Sequence, residues 1–281
     1  MSDRGRRVAE TAEFYDRTAP SYQRWWAPVI EPAALRLLDL VGPVVADRPE
    51  AVIVDVGAGT ATLARAAVSR WPRVRAIAVD PSAGMLGVGR AEAARTLDRS
   101  DLRRLDWLTG LAEHLPIADR STDVVVSSFT LQYFPDRVAA LRDAYRILRP
   151  AGAIAVVAWL ANDWAFEPWR LLGSLLDELR IERPPSLESG PFRSLRSASA
   201  LLRRAGFRDV HAADGLVGYQ WTMGALIRCT LEFEERPLLD SLNPETRDRL
   251  ERQWTERLAG LSAADLRYRD LVAYVTGRRA A

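Results

Sequence analysis

The chain has 281 residues, 48% of them hydrophobic, which is enough for the core of one α/β domain carrying an insertion. A formal net charge of +2 argues against a broad nucleic-acid face. The single cysteine, Cys229, excludes an intrachain disulfide and a multi-cysteine zinc site, and two histidines give little material for a metal centre. Every basic side chain is arginine, which the codon bias of a GC-rich genome explains without invoking function. The opening "MSDRGRRVAE" lacks the apolar stretch of a secretory signal, and no apolar run nears the ~20 residues that span a bilayer. The expectation is a cytoplasmic, metal-free protein.

In chain order, "AETAEFYDRTAPSYQRWWAPVIEPAALRLLDLV" predicts one or two helices broken near Pro20 and Pro28. Five apolar segments follow: "AVIVDV" (51–56), "VRAIAVD" (74–80), "LRRLDWL" (102–108), "TDVVVSS" (122–128) and "AIAVVAW" (153–159). Helical spacing fills 60–70, 83–97 and 136–148 between them. Unbroken Val/Ile/Ala runs mark strands buried on both faces, and their alternation with helices predicts a parallel sheet covered on both sides. Beyond the core, a helix at about 165–181 leads to the loop "RPPSLESGPF". Then "SASALLRRAGFRDVHAADGLVGYQW" reads as helix, stop at Gly206, strand. Residues 222–261 read as helical with breaks at Pro237 and Pro244, and "LRYRDLVAYVTGRR" as a last strand.

The predicted fold is α/β: a doubly wound, mostly parallel, seven-stranded Rossmann-like sheet. The expected organisation is one domain, with an N-terminal helical lid at 1–48, a cofactor-binding core at 49–160, and cap helices plus the last two strands at 161–281.

The first strand ends in a carboxylate and a bare turn, "VDVGAGTATLA". Gly57 and Gly59 suit a backbone that a nucleotide-like ligand approaches closely. The third glycine of the dinucleotide fingerprint is replaced by Thr62. Asp55 is poorly matched to a pyrophosphate and suits a cationic group. Asp80, closing the second strand, can accept from both ribose hydroxyls. A phosphate-free nucleoside with a cationic amino-acid tail, S-adenosylmethionine, fits this set.

Four stretches together, "VDVGAGTATLA", "AVDPSAGML", "GLAEHLPIADRSTDVVVSSFTLQYFPD" and "AYRILRPAGAIAV", resemble the class I S-adenosylmethionine-dependent methyltransferases. The likeness is to the ubiquinone/menaquinone-biosynthesis and natural-product branch. It covers about 50–160 and extends to "FYDRTAPSYQRWW" and "LLRRAGFRDV" at the two ends. The resemblance implies that Asp55, Gly57, Ala58 and Gly59 cradle the methionine part, that Asp80 and Pro81 meet the ribose, and that Met85 covers the adenine. It implies Leu111, Ala112 and Glu113 beside the adenine, Ser128 and Phe129 near the methyl group, and Tyr15 and Tyr22 on a lid, with Tyr22 toward the cofactor. One departure is Leu111, where relatives often carry an adenine-binding aspartate.

The chemistry implied is in-line methyl transfer to a carbon, nitrogen or oxygen acceptor, in which positioning does most of the work. Relatives often place a histidine just after the fourth strand. Here Gln132 and Tyr133 stand there, so either the acceptor deprotonates easily or a base comes from Tyr133 or from an acid in the cap. Aromatic residues at Tyr15, Trp25, Trp159, Trp164, Phe192 and Trp221 suggest a small, largely apolar acceptor, although such rings more often glue a cap to its core. The alternative is a non-methylating enzyme, such as a cyclase, on the same cofactor-binding scaffold.

Overall fold

The computed structural model describes residues 3–280. Helix α1 (Asp3–Ser21) passes through a π-turn (Tyr22–Trp26) into α2 (Ala27–Asp47). The regular α-helix gives way beside both prolines, as the sequence suggests, but to a π-turn rather than to a loop. Pro20 falls in the last turn of α1, and Pro28 in the first turn of α2, where a missing N–H costs nothing.

The core alternates as expected: β1 (Val52–Val56), α3 (Thr62–Arg70), β2 (Arg75–Asp80), α4 (Ala83–Thr96), a short α5 (Arg99–Leu102), β3 (Leu105–Thr109), β4 (Thr122–Ser128), α6 (Arg137–Ile147) and β5 (Leu148–Trp159). There follow α7 (Glu167–Leu179), α8 (Leu195–Arg204), β6 (Arg208–Gln220), α9 (Met223–Cys229), a second π-turn (Thr230–Glu234), α10 (Arg236–Ser241), α11 (Pro244–Leu258) and β7 (Arg267–Arg278).

The strands form one seven-stranded sheet in the order β3-β2-β1-β4-β5-β7-β6. Strands β1 to β5 pair in parallel, and β7 runs antiparallel to both β5 and β6. Side chains alternate between faces. Ile53, Val124, Val126 and Val157 pack under α2 and α3, while Val54, Val125, Ile154 and Val156 pack against α6 and α8. Each such fully buried Val or Ile contributes roughly 1.5–3 kcal/mol by area removed from water. A third cluster joins α7, α10 and α11 through Leu175, Leu238, Leu250 and Trp254, and this holds the cap together.

At the amino end of the strands, the buried Asp123 accepts from Arg48 Nη1 at 2.9 Å, from Val52 N–H at 2.9 Å and from Arg149 Nη1 at 2.5 Å. That end is closed by ion pairing. The opposite end is open.

Candidate active site

The strand order reverses between β1 and β4, and in such sheets a crevice lies beyond the carboxyl ends of the strands. A cavity of about 1160 Å³ opens there. Its floor is the turn after β1. Gly57 (φ +67°) and Gly59 (φ +55°) are both left-handed. The N–H groups of Gly57 and Ala58 donate to Val79 O at 2.8 and 3.0 Å, tying the turn to β2. A Cβ on Gly57 would lie 2.7 Å from the Thr130 side chain, so the residue must be glycine on steric grounds as well.

Two carboxylates flank this turn. Asp80 accepts from Gly59 N–H on Oδ2 and from Ser82 N–H on Oδ1, both at 2.8 Å. Burial pushes its pKa up to about 6, against those two hydrogen bonds, and Asp16 adds to the rise. Asp55 is 2% exposed and is not among the lining residues, although Gly57, two residues on, is. Its Oδ2 accepts a long 3.3 Å bond from Ala64 N–H, and its Oδ1 has no partner among the described residues. Burial raises it to about 7; the Ala64 bond opposes this, and Asp80 adds to it. An unpaired buried carboxylate oxygen costs free energy until a donor reaches it.

Helix α1 packs over the start of α4. Asp16 Oδ1, on α1, accepts from Ser82 Oγ at 2.6 Å and from Gly84 N–H at 2.7 Å. Ser82 also caps α4 by accepting from Met85 N–H. A Cβ on Gly84 would lie 2.7 Å from Asp16 O, so close approach of α1 requires glycine there. Tyr15 and Tyr22 pack edge-to-face and both line the cavity. Burial pushes both phenols well above their ordinary range.

The cavity also takes in Pro81, Met85, Leu111, Ala112 and Glu113 on the β2–β3 side. Glu113 Oε1 accepts from Asp136 N–H at 3.3 Å. On the β4 side come Ser128 and Phe129. Phe129 has φ +55°, an outlier for a bulky side chain, and such strain clusters at functional sites. Its N–H donates to Val157 O, and its ring lies 4.5 Å from that of Trp159.

Gln132 Nε2 donates to Phe129 O at 2.8 Å, leaving its buried Oε1 unpartnered among the described residues. Tyr133 donates its hydroxyl to Glu188 Oε1 at 2.6 Å. Burial, with Tyr15 and Glu188 nearby, drives the Tyr133 pKa well above its usual value. This argues against Tyr133 as a base: the side chain is a committed donor that fastens the 180–193 loop. Ser189 N–H and Oγ bind Gln132 O on the same seam.

The aromatic residues divide. Tyr15 and Trp159 line the cavity, and so does Trp26, the neighbour of Trp25. Trp25, Trp164, Phe192 and Trp221 do not. Trp25 turns its Nε1 to Glu232 at 2.7 Å. Trp164 is 56% exposed on the surface. Phe192 is buried between backbone pairings to Trp159 and Ala161, with Arg137 over its ring. Trp221 is buried against Tyr219. Among the residues in and beside the site that the sequence does not point to are Asp16, Thr130, Glu188 and Glu234. Only Asp16 had a local signal, its place beside Tyr15 in "FYDRTAPSY".

A doubly wound sheet with an antiparallel seventh strand, and two left-handed glycines between strand-end carboxylates, defines a methyltransferase-type nucleoside site. Residues 54–156 match the family model described as a methyltransferase domain. The chain is 31% identical to the nocamycin O-methyltransferase of Saccharothrix syringae, covering 94% of this chain and 96% of that one. It is 38% identical to the ubiquinone/menaquinone biosynthesis C-methyltransferase of Dinoroseobacter shibae over 62% of this chain and 71% of that one. The solved YcgJ protein of Bacillus subtilis superposes with a TM-score of 0.56 at 19% identity, over 88% of this chain and 99% of that one, which bears on fold alone. The chain belongs to the class I S-adenosylmethionine-dependent methyltransferases. S-adenosylmethionine is the cofactor of that family, and the residues here fit it: the unpaired Asp55 Oδ1 suits a cationic donor, and Gly57 and Gly59 line the cavity with side-chain-free backbone.

Proposed function

We propose that the protein transfers a methyl group from S-adenosylmethionine to a small, largely apolar acceptor. The observation that carries this reading is the unpaired Asp55 oxygen beneath a glycine turn that opens into an aromatic-walled cavity. Asp55 attracts the ammonium of the methionine part. Asp80 keeps lone pairs free on both oxygens for the ribose hydroxyls, since each accepts only one backbone bond. Met85 and the turn at Leu111, Ala112 and Glu113 bound the adenine, with Ala112 giving an apolar contact where a side-chain donor or acceptor is missing.

When bound, S-adenosylmethionine supplies a sulfonium-activated methyl group. The protein's own task is to orient the acceptor in line and keep water out. Ser128 and Phe129 form the wall at the β4 end, and Trp26, Trp159 and Phe233 continue it. Tyr15 and Tyr22 close it from above as neutral phenols. The intact acid and glycine set, with the near full-length likeness to an O-methyltransferase, supports methyl transfer over the non-methylating alternative.

Calorimetry with S-adenosylhomocysteine tests the reading. Saturable binding by the wild type, lost on Asp80→Ala, is the expected result. A wild type that ignores the molecule at millimolar concentration would overturn it.

A further inference from the structure

Glu234 ends the second π-turn and lines the same cavity. Trp169 Nε1 donates to its Oε2 at 3.2 Å, and Thr230 Oγ1 to the same oxygen at 3.4 Å. Oε1 carries no hydrogen bond among the described residues. Its sequence neighbours have cations: Glu232 pairs with Arg228 and Glu235 with Arg183. Glu234 has none among the described residues. A carboxylate kept for stability is normally satisfied on both oxygens. Here one oxygen is anchored and the other carries no hydrogen bond, on a residue that lines the cavity.

The surroundings give the acceptor's character. Ring contacts run from Phe129 to Trp159 (4.5 Å), Trp159 to Trp26 (6.4 Å) and Trp26 to Trp169 (6.5 Å), which holds Glu234. Ring contacts therefore run from the strained residue after β4 through the cavity-lining Trp159 and Trp26 to Trp169, which is not itself in the lining and which holds the lining acid Glu234. Burial pushes Glu234 up to about 7, opposed by the Trp169 bond and assisted by Glu235, and a base works best near the operating pH. The titratable groups around it are Glu235, already paired with Arg183, and Cys229 and Tyr268, which burial keeps neutral.

We propose that Glu234 is the general base of the reaction, its Oε1 receiving the proton of a phenolic or enolic hydroxyl on an apolar acceptor. This rests on the methyl-transfer reading and adds to it the atom that is methylated. The acceptor's O–H bond breaks and its proton passes to Glu234 Oε1. The oxygen's electron pair forms the new O–C bond, and the pair of the broken C–S bond stays on sulfur, leaving a neutral thioether. Glu234 then returns the proton to water once the site opens.

The test uses the full chain as wild type and Glu234→Gln, with S-adenosylmethionine and two probes, 2-naphthol and the more acidic 4-nitro-1-naphthol. Release of S-adenosylhomocysteine is measured, and its binding is checked by calorimetry. The expected result is a kcat loss of about 10²-fold or more for 2-naphthol in Glu234→Gln, with KM within a few-fold. The loss shrinks at least tenfold for the nitro compound, which ionises unaided. Should Glu234→Gln fail to bind S-adenosylhomocysteine, Glu234→Asp replaces it, with a smaller loss and the same dependence on acceptor acidity expected. Equal losses for both probes, or no loss, would overturn the base. A wild type that binds S-adenosylhomocysteine but methylates neither probe overturns the hydroxyl acceptor and leaves the cofactor reading intact. A wild type that does not bind S-adenosylhomocysteine removes the reading beneath it.

Discussion

Gly57 and Thr130 meet across the switch point of the sheet, with the Thr130 side chain standing where a Gly57 Cβ would be. Thr130 is itself fixed, sharing a 2.6 Å hydrogen bond with Ser127 Oγ, which donates to Val56 O. The turn therefore cannot relax by moving Thr130 aside without breaking that hydrogen bond. Gly57→Ala is expected to destabilise the fold by ~1–3 kcal/mol from backbone strain alone, and to weaken S-adenosylhomocysteine binding at least tenfold. Thermal unfolding and calorimetry on the same preparation check both. Unchanged affinity would mean that the turn does not touch the cofactor.

The Asp55–Asp80 pair makes stability and binding run in opposite directions with pH. Both folded-state pKa values lie above the ordinary 3.8, at about 7 and about 6. Between those limits the folded chain holds more protons than the unfolded one, so unliganded stability is present at low pH and lost as pH rises from about 4 to about 7. A tenfold difference in proton affinity between the two states corresponds to about 1.4 kcal/mol. Asp55→Asn should raise the melting temperature of the unliganded protein at pH 8, with little gain at pH 4, and should weaken S-adenosylhomocysteine binding. Wild-type affinity for that zwitterion should improve from pH 5 to pH 8. A flat profile would place the ammonium elsewhere.

Asp16 fastens α1 to the same turn that orients Asp80, because Ser82 serves both acids. Asp16→Ala should accelerate S-adenosylhomocysteine dissociation about tenfold or more and alter association less. Gly84→Ala should do the same through its clash with the Asp16 backbone. Stopped-flow fluorescence reads both rates. An unchanged off-rate in both variants would show that α1 does not hold the ligand.

Tyr133→Phe removes the hydroxyl that holds Glu188. Faster trypsin cleavage at the exposed Arg180 and Arg193, which bracket the loop, is expected. Hydroxyarene turnover should keep its pH profile, since the phenol is a donor here. A shifted profile would restore Tyr133 as a proton acceptor.

The sheet was legible because buried parallel strands are written as plain Val/Ile/Ala runs, and the acids at 55 and 80 because strand ends sit beside the ligand in this architecture. Thr130 and Glu234 were not legible, and Asp16 only through its place beside Tyr15: each matters through a partner far away in sequence, such as Gly57, Trp169 or Ser82. The aromatic residues divide, Tyr15 and Trp159 lining the cavity and Trp25, Trp164, Phe192 and Trp221 not, for another reason. Composition counts rings but does not aim them, and the adjacent Trp25 and Trp26 leave one π-turn in different directions, one to Glu232 and one to the cavity.

The placement of β7 between β5 and β6 has a consequence for how the chain reaches this state. Strand β6 has no other neighbour among the described strands, so it stays unpaired during synthesis until β7 has left the ribosome. The nucleotide-binding half can assemble early, while the far edge waits for a late, long-range pairing that is intrinsically slow. A ribosome stalled between the two would carry a nearly finished sheet with a bare β5 edge, the kind of intermediate that invites capture by a chaperone or by another nascent chain.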